Sequence, residues 1–433
     1  MSQLTICLII SVLTVISFVW GKLSLATTAM TSMMLFFVTG CIDAETVLGC
    51  FSNASGIMIA AMFVVAAGFN KTKFVRNVAS GIGRIAKGSL TKVMIGYVLA
   101  AVVLCQFIKS NLIPFCILSP LLIRTVEEMG IKPSKVMYSL GIAVIVTCQA
   151  LPLGGGATVY AELNGYLAAN GAMAQMSIWD PMIARLPVVI LTAIYCIFIA
   201  PKFAPDEPVV AVRDMNVESV AGGAMGSQEM TPFQEACGYL IFFAVSLALL
   251  VSSSFGWPTW AICVIGAIAM VLTGVLKPKE ATNAIPLWVY LLFVGSIAMA
   301  NALSQTGAGE LIGDFLASLS GMTGNNSLLI YLIFFLVPYI ATQFMFNQTT
   351  QLILFPIVIQ TCLALGANPI GPVIIVQQAS FASFMTPMAT GTVPYYMGLG
   401  GYDQKAILKM GILPSILICV VSVVWCSIMY PLF

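Results

Sequence analysis

The chain is a succession of long apolar runs, and that pattern constrains its fold more than anything else in it. Leu4–Trp20, Leu23–Gly40, Val47–Phe69, Ala184–Ala200, Phe233–Ser253, Trp257–Leu276, Ala284–Ser304 and Ile407–Tyr430 each fit one crossing, since a helix needs about 20 residues to traverse the hydrocarbon of a bilayer. Only 8% of the 433 residues are charged, against roughly 25% in a soluble domain. Lipid cannot satisfy a free backbone N–H or C=O, so the spans must be helices and the chain an all-α polytopic membrane protein. The first run is followed directly by another, without an Ala-x-Ala-type cleavage site, and reads as a retained span. A net charge of +2 and the lack of a basic block exclude a nucleic-acid partner.

The chain has no histidine, which removes His-based metal sites, His proton relays and Ser-His-Asp chemistry together. Its 12 cysteines lie almost entirely inside the apolar runs without a CxxC pair, and read as small packing residues. With no nucleophile–base pair or metal cluster, an enzyme is not expected, nor is a cofactor.

Four stretches do not fit a single crossing. Val93–Ile123 and Ser327–Thr361 are apolar but carry polar, Asn-bearing centres, and read as re-entrant hairpins. Val136–Ala168 and Gly371–Gly398 are interrupted by Gly, Pro and Thr, and read as broken helices. The positive-inside rule orients them: Lys71, Lys73, Arg76, Arg84, Lys87 and Lys92 form a loop without an acid, which belongs in the cytoplasm. From there Arg124, Lys132, Lys135, Lys277, Lys279, Lys405 and Lys409 fall inside, and Asp180, Glu310 and Asp314 outside. Arg185, at a span end, and Lys109, in mid-hairpin, are the exceptions among the basic residues. The stretch 201–232, with Pro201, Pro205, Pro208, Gly222 and Gly223, reads as a cytoplasmic linker between halves 1–200 and 233–433.

Those halves repeat. An offset of 236 residues matches Asn111 with Asn347, Pro120 with Pro356, Gly130 with Gly366, Pro133 with Pro369, Gly155 with Gly391 and Tyr166 with Tyr402, among others. Past the tyrosines the offset drops to 227, pairing Pro187 with Pro414. Five crossings separate the two hairpins, an odd number, so the second must enter from the opposite side. The expected fold is an inverted repeat of about five spans plus one re-entrant hairpin each, the architecture of secondary transporters whose site lies at mid-membrane.

The hairpin tips are Gln106–Asn111 and Thr342–Thr350, and the unwound segments are Pro152–Thr158 and Thr386–Thr392. Helix ends there free backbone groups, N–H groups suiting an anion and carbonyls a cation. Candidate substrate contacts are Lys109, Ser110, Asn111, Gly155, Gly156, Thr158, Asn347, Gln348, Thr349, Thr386, Pro387 and Thr390. Lys109 is the sharpest of them, because an intramembrane lysine marks function by default. Glu162, just beyond the triple glycine, is the candidate proton-coupling group and an ion-pair partner for Lys109.

At these residues the chain resembles the divalent anion:sodium symporter family, over about residues 47–433. Its best local match is Met385-Thr386-Pro387-Met388-Ala389-Thr390, followed by Gly400-Gly401-Tyr402 and Ile407–Gly411. The resemblance implies an elevator-type carrier with a scaffold and a transport domain. It also implies a homodimer and tip asparagines that touch both substrate and sodium, here Asn111 and Asn347. The sodium ligands it implies are drawn from Gln106, Ser110, Asn111, Gly154, Thr342, Asn347 and Met385. The family's Ser-Asn-Thr tips are degenerate: Ser110-Asn111-Leu112 in the first half and Phe346-Asn347-Gln348 in the second. Lys109 then stands either where a sodium ion would sit or against a substrate carboxylate. The family's extra N-terminal helix is not expected here, so the expected placement is the plasma (inner) membrane with both termini outside.

The expectation is a carrier of small organic anions, di- or tricarboxylates, coupled to sodium or protons or working by exchange. A cation/proton antiporter using Glu162, and a membrane subunit of a multi-component transporter, are the alternatives.

Overall fold

The computed structural model describes residues 2–20, 23–74, 89–108, 110–153, 155–213, 230–308, 326–344, 347–387 and 390–433. Lys109 and Gly154 therefore lie outside the described residues, as do Arg76, Arg84, Lys87, Glu310, Asp314, Met345, Phe346, Met388, Ala389 and the linker between 214 and 229.

Everything described is helix, turn or irregular chain, with no strand among the described residues. Four helices open the molecule: α1 (Gln3–Trp20), α2 (Leu25–Val38), α3 (Ala44–Phe51) and α4 (Ala54–Asn70). The expected span Val47–Phe69 is interrupted at Ser52 and Asn53, because the Asn53 side chain accepts from the N–H groups of Ser55 and Gly56 and restarts the helix as its N-cap. Next come α5 (Leu90–Phe107), α6 (Leu112–Glu127), α7 (Met137–Val146), α8 (Gly155–Ala169) and α9 (Asp180–Ile194). A π-helical turn at Tyr195–Ile199 and a last turn at Ala200–Phe203 extend α9.

The second half holds α10 (Pro232–Phe255), α11 (Thr259–Leu272), α12 (Pro278–Ala284), α13 (Leu287–Gln305), α14 (Ser327–Thr342) and α15 (Asn347–Ala364). It closes with α16 (Ile370–Phe381), α17 (Thr392–Gly400) and α18 (Gln404–Met429). Among the described residues five helical segments are long and apolar enough to cross a membrane: Ala44–Asn70, Leu90–Phe107, Asp180–Phe203, Pro232–Leu249 and Gln404–Met429. Seven shorter apolar helices accompany them among the described residues. The molecule is an all-α, multi-pass membrane protein.

The helices pack as two groups. In the first, α2 packs against α13, and α4 against α11, α10 and α12. The α2–α13 crossing is so close that a Cβ on Gly295 would stand 2.6 Å from the backbone of Ala29, so only glycine fits there. At one end of this group Lys71 pairs with Glu280 at 2.8 Å and Lys73 with Glu235 at 3.3 Å. The Lys71 ammonium and the Lys277 backbone N–H hold the Glu280 carboxyl below its ordinary range.

In the second group α5 packs on α6 and α7, α14 on α15 and α16, and α17 on α7. Helices α9 and α18 pack on each other and on these helices, α9 against α7 and α16, α18 against α14 and α16. The groups meet where α4 and α13 touch α8, where α13 touches α15, and in an aromatic cluster. In that cluster Phe69 of α4 stacks on Phe242 of α10 with ring centroids 4.1 Å apart and on Phe107 of α5 at 5.2 Å.

Candidate functional site

Two helices of the first half stop in the interior and are strapped together where they stop. Helix α5 ends at Phe107 and α7 at Val146, and the chain from Thr147 to Leu151 lies against the end of α5. Gln106 is the strap. Its Nε2 donates to the carbonyls of Val102 (2.7 Å) and Thr147 (2.9 Å), and its Oε1 accepts from the N–H groups of Ala150 and Leu151, both at 2.9 Å. The Gln149 N–H donates to the Cys105 carbonyl at 3.0 Å.

Every orphan backbone group of a broken helix buried in lipid must find such a partner. Here one amide answers three of them, the Thr147 carbonyl and the two N–H groups, and uses both of its acceptor lone pairs doing so. Gln149 itself sits at φ 58°, the left-handed region that a non-glycine residue visits only under constraint. Gly156, in the first turn of α8, leaves no room for a side chain: a Cβ would fall 1.7 Å from the Leu151 carbonyl oxygen. The Thr158 hydroxyl turns inward to the Gly155 carbonyl at 2.7 Å.

The second half is built alike with different groups. Helix α14 ends at Thr342, α15 begins at Asn347, and α16 ends at Phe381. The Thr342 hydroxyl lies 2.9 Å from Asn347 Oδ1 and 3.3 Å from the Ser380 carbonyl oxygen. Gln343 Nε2 reaches the carbonyls of Tyr339 (3.2 Å) and Ala382 (3.4 Å). The Thr386 hydroxyl donates to the Gln343 carbonyl, binding the unwound segment to the end of α14. Met385 is held by the Tyr339 hydroxyl at its sulfur (2.8 Å) and by Gln404 Nε2 at its carbonyl (2.7 Å).

At the cavity, Asn111 ties the two sets of helix ends together. Asn111 precedes α6 without capping it; its Oδ1 accepts from the hydroxyls of Thr390 and Thr392, each at 3.1 Å.

Between the breaks lies a cavity of about 150 Å³, lined by Ser110, Asn111, Cys148, Gln149, Val159, Glu162, Asn347, Gln348, Gln351, Gln377, Phe381 and Thr390. Six sequence candidates thus share one wall: Ser110, Asn111, Glu162, Asn347, Gln348 and Thr390. Gly155, Gly156, Thr158, Thr349, Thr386 and Pro387 lie outside that lining. Gln106, Thr342 and Met385, three of the ion-ligand candidates, stand behind it in the straps just described.

The lining also contains Gln149, Gln351 and Gln377, which sequence reasoning missed. Gln351 was findable, because it follows Asn347 by four residues and so shares its helix face. Two lining amides carry a buried end without a hydrogen-bond partner among the described residues: Nε2 of Gln351 and Oε1 of Gln377. An unanswered donor and acceptor inside a polar cavity cost about 1–3 kcal/mol each, and a polar solute offering both kinds of group would recover that.

Among the described residues, two charges bear on the cavity. The half-buried Glu162 is on its wall. Arg185, expected at a span end near water, is instead 1% exposed within α9, beside Gln149 and Phe381. Its apolar flanks hid it: α9 begins at Asp180, so Arg185 stands more than a turn inside the helix.

A family model described as "Citrate transporter" (CitMHS) matches residues 15–377 and 256–433 of the chain. A 153-residue stretch, 35% of the chain, is 33% identical to the uncharacterized transporter sll0640 of Synechocystis and spans only 24% of that relative's length. Over 92% of the chain and 81% of the relative, identity is 23% to SdcS of Staphylococcus saprophyticus, a sodium-dependent dicarboxylate transporter. Among solved structures, the YdaH transporter of Alcanivorax borkumensis superposes with a TM-score of 0.61 over 89% of both chains at 13% identity, which is a likeness of fold. Helices interrupted around a shared amide-lined cavity are what a membrane carrier needs, and with the family match along most of its length the chain belongs to the citrate transporter family.

Proposed function

We propose that this chain is a secondary active transporter of di- and tricarboxylates that binds its substrate between the two helix breaks. The observation that carries the reading is the convergence of Asn111 and Asn347, 236 residues apart in sequence, on one cavity half of whose lining residues are side-chain amides. Amide N–H groups and helix ends can hold carboxylates without a fixed countercharge at the contact, and the unanswered Gln351 Nε2 is the first donor to offer.

The halves 1–200 and 233–433 act as inverted repeats joined by the linker 201–232, with α5–α6 and α14–α15 as the re-entrant hairpins and α7–α8 and α16–α17 as the broken helices. Residues Lys135, Asp206, Val209 and Gly401 meet at one end of the molecule, where Lys135 pairs with Asp206 and the Val209 N–H bonds the Gly401 carbonyl. That is compatible with a cytoplasmic linker and external termini. Because α9 and α18 pack on the hairpins and broken helices, the moving body in an elevator mechanism comprises α5–α9 and α14–α18, on a scaffold of α1–α4 and α10–α13. The family resemblance extends the proposal to a homodimer.

For coupling, the oxygens of Thr342, Asn347 and Ser380 gather in the second half and can receive a sodium ion as co-substrate. In the first half Gln106 has no acceptor to spare. Sodium dependence in SdcS supports the first assignment, and Glu162 on the cavity wall supplies a group able to couple protons.

Uptake of radiolabelled succinate and citrate into proteoliposomes, with sodium and pH gradients imposed separately, tests the proposal. Accumulation driven by either gradient is expected, and loss of accumulation in Asn111→Ala and Asn347→Ala. No uptake of either anion, with proton release on adding sodium or potassium alone, would replace it by a cation/proton antiporter.

A further inference from the structure

We infer that Arg185 is the resident cation of this carrier: its guanidinium permanently occupies the carbonyl end of the first broken helix and supplies the positive charge against which the anion binds. This rests on the reading of the cavity as an anion site, and names the residue that sets its field.

Arg185 is 1% exposed, and no carboxylate lies within 4.0 Å of it among the described residues. A buried arginine is ordinarily paired, yet here the acceptors are backbone. Nη1 donates to the Gln149 carbonyl and Nη2 to the Val146 carbonyl, each at 3.1 Å. Val146 is the last residue of α7. Its end carries the negative pole of the half-helix, the place where unwound carbonyls in a transporter take up a cation. The planar fork of a guanidinium spans two such carbonyls, which an ammonium does not.

The charge also faces the right way. The Arg185 Cζ lies 4.9 Å from the centroid of the Phe381 ring at the end of α16, so the guanidinium bridges the breaks of both halves. Gln149 and Phe381 both line the cavity. The positive charge therefore stands one side-chain layer behind the wall, shielded from water, where its field on a bound anion is strong.

Nor is this charge repeated. The 227-residue offset that pairs Pro187 with Pro414 places Ile412 opposite Arg185. One break carries its own cation and the other does not, so the two ends differ in what they require from solution.

The test compares wild type, Arg185→Lys and Arg185→Gln in two measurements. The first is the concentration dependence of citrate and succinate uptake in proteoliposomes. The second is thermal stability in detergent with sodium chloride against choline chloride. Arg185→Gln is expected to raise KM at least tenfold with Vmax little changed, and to be stabilised by sodium to a greater extent than the wild type. Arg185→Lys is expected to keep KM within about threefold of wild type.

A folded Arg185→Gln with wild-type KM and no greater response to sodium than the wild type would overturn the inference. So would Arg185→Lys impaired as severely as Arg185→Gln, because the fork would then matter only as a helix clasp. If Arg185→Gln yields no folded protein, the KM of Arg185→Lys decides, a tenfold rise overturning the inference and a near-normal value supporting it. If the wild type carries neither anion, the transport reading fails by itself. The sodium-dependent stabilisation of Arg185→Gln relative to wild type then still decides the role of Arg185.

Discussion

Gln351 is 5% exposed, faces the cavity, and its Nε2 has no partner among the described residues. A donor in that state is stabilised by whatever acceptor enters. Replacing it with glutamate keeps the size of the side chain and turns the donor into an anion. Against a dicarboxylate the substitution costs both a hydrogen bond and a like-charge contact. Gln351→Glu is therefore expected to raise the KM for succinate by at least about tenfold, the equivalent of roughly 1.4 kcal/mol. Gln351→Leu, which removes only the bond, should raise it less. Uptake kinetics in proteoliposomes check both, and equal effects of the two variants would show that the contact is purely steric. Asn111 differs in kind, since its Oδ1 is already engaged by Thr390 and Thr392 from the other half; changing it alters the union of the halves as well as the wall.

At the scale of helices, the straps make interrupted helices tolerable. Gln106 serves the carbonyls of Val102 and Thr147 and the N–H groups of Ala150 and Leu151 from a position that is 2% exposed. Gln106→Leu strands at least three of these groups in a buried site, each worth about 1–3 kcal/mol. The expected result is a melting temperature in detergent lower by several degrees, with loss of uptake. Gln106→Glu can restore the acceptor for the N–H pair only. That helices stop near Asn111, Gly155, Asn347 and Gly391 was readable because Gly, Pro and Asn are rare within apolar runs. What was not readable is which polar residue at a break faces the cavity and which faces the backbone. Gln106 and Gln149 are the same residue type on neighbouring elements, yet the first is consumed by main chain and the second lines the site. Burial of Arg185 was equally hidden, because span ends drawn from hydropathy fall short of helix starts: α9 begins at Asp180, four residues before the apolar run at Ala184.

For the molecule as a whole, an elevator mechanism requires that the surface between the two helix groups slide while each group stays intact. Helix α8 is where the second group leans on the first, against α4 and α13. Gly165 of α8 stands at this contact: a Cβ there would lie 3.1 Å from Ser55 Cβ on α4 and 2.9 Å from the tip of the Phe293 ring on α13. A disulfide holds its Cβ atoms about 3.5–4.5 Å apart, so cysteines at these two positions need only a few tenths of an ångström of give. In a background freed of the native cysteines, the double variant Ser55→Cys with Gly165→Cys is expected to lose uptake on oxidation and to regain it with reductant. Gly165→Ala reports any loss due to crowding against Phe293 alone. Uptake that persists after complete cross-linking would mean that α8 and α4 stay together throughout the cycle. Access would then alternate through the hairpins while the helix groups stay fixed.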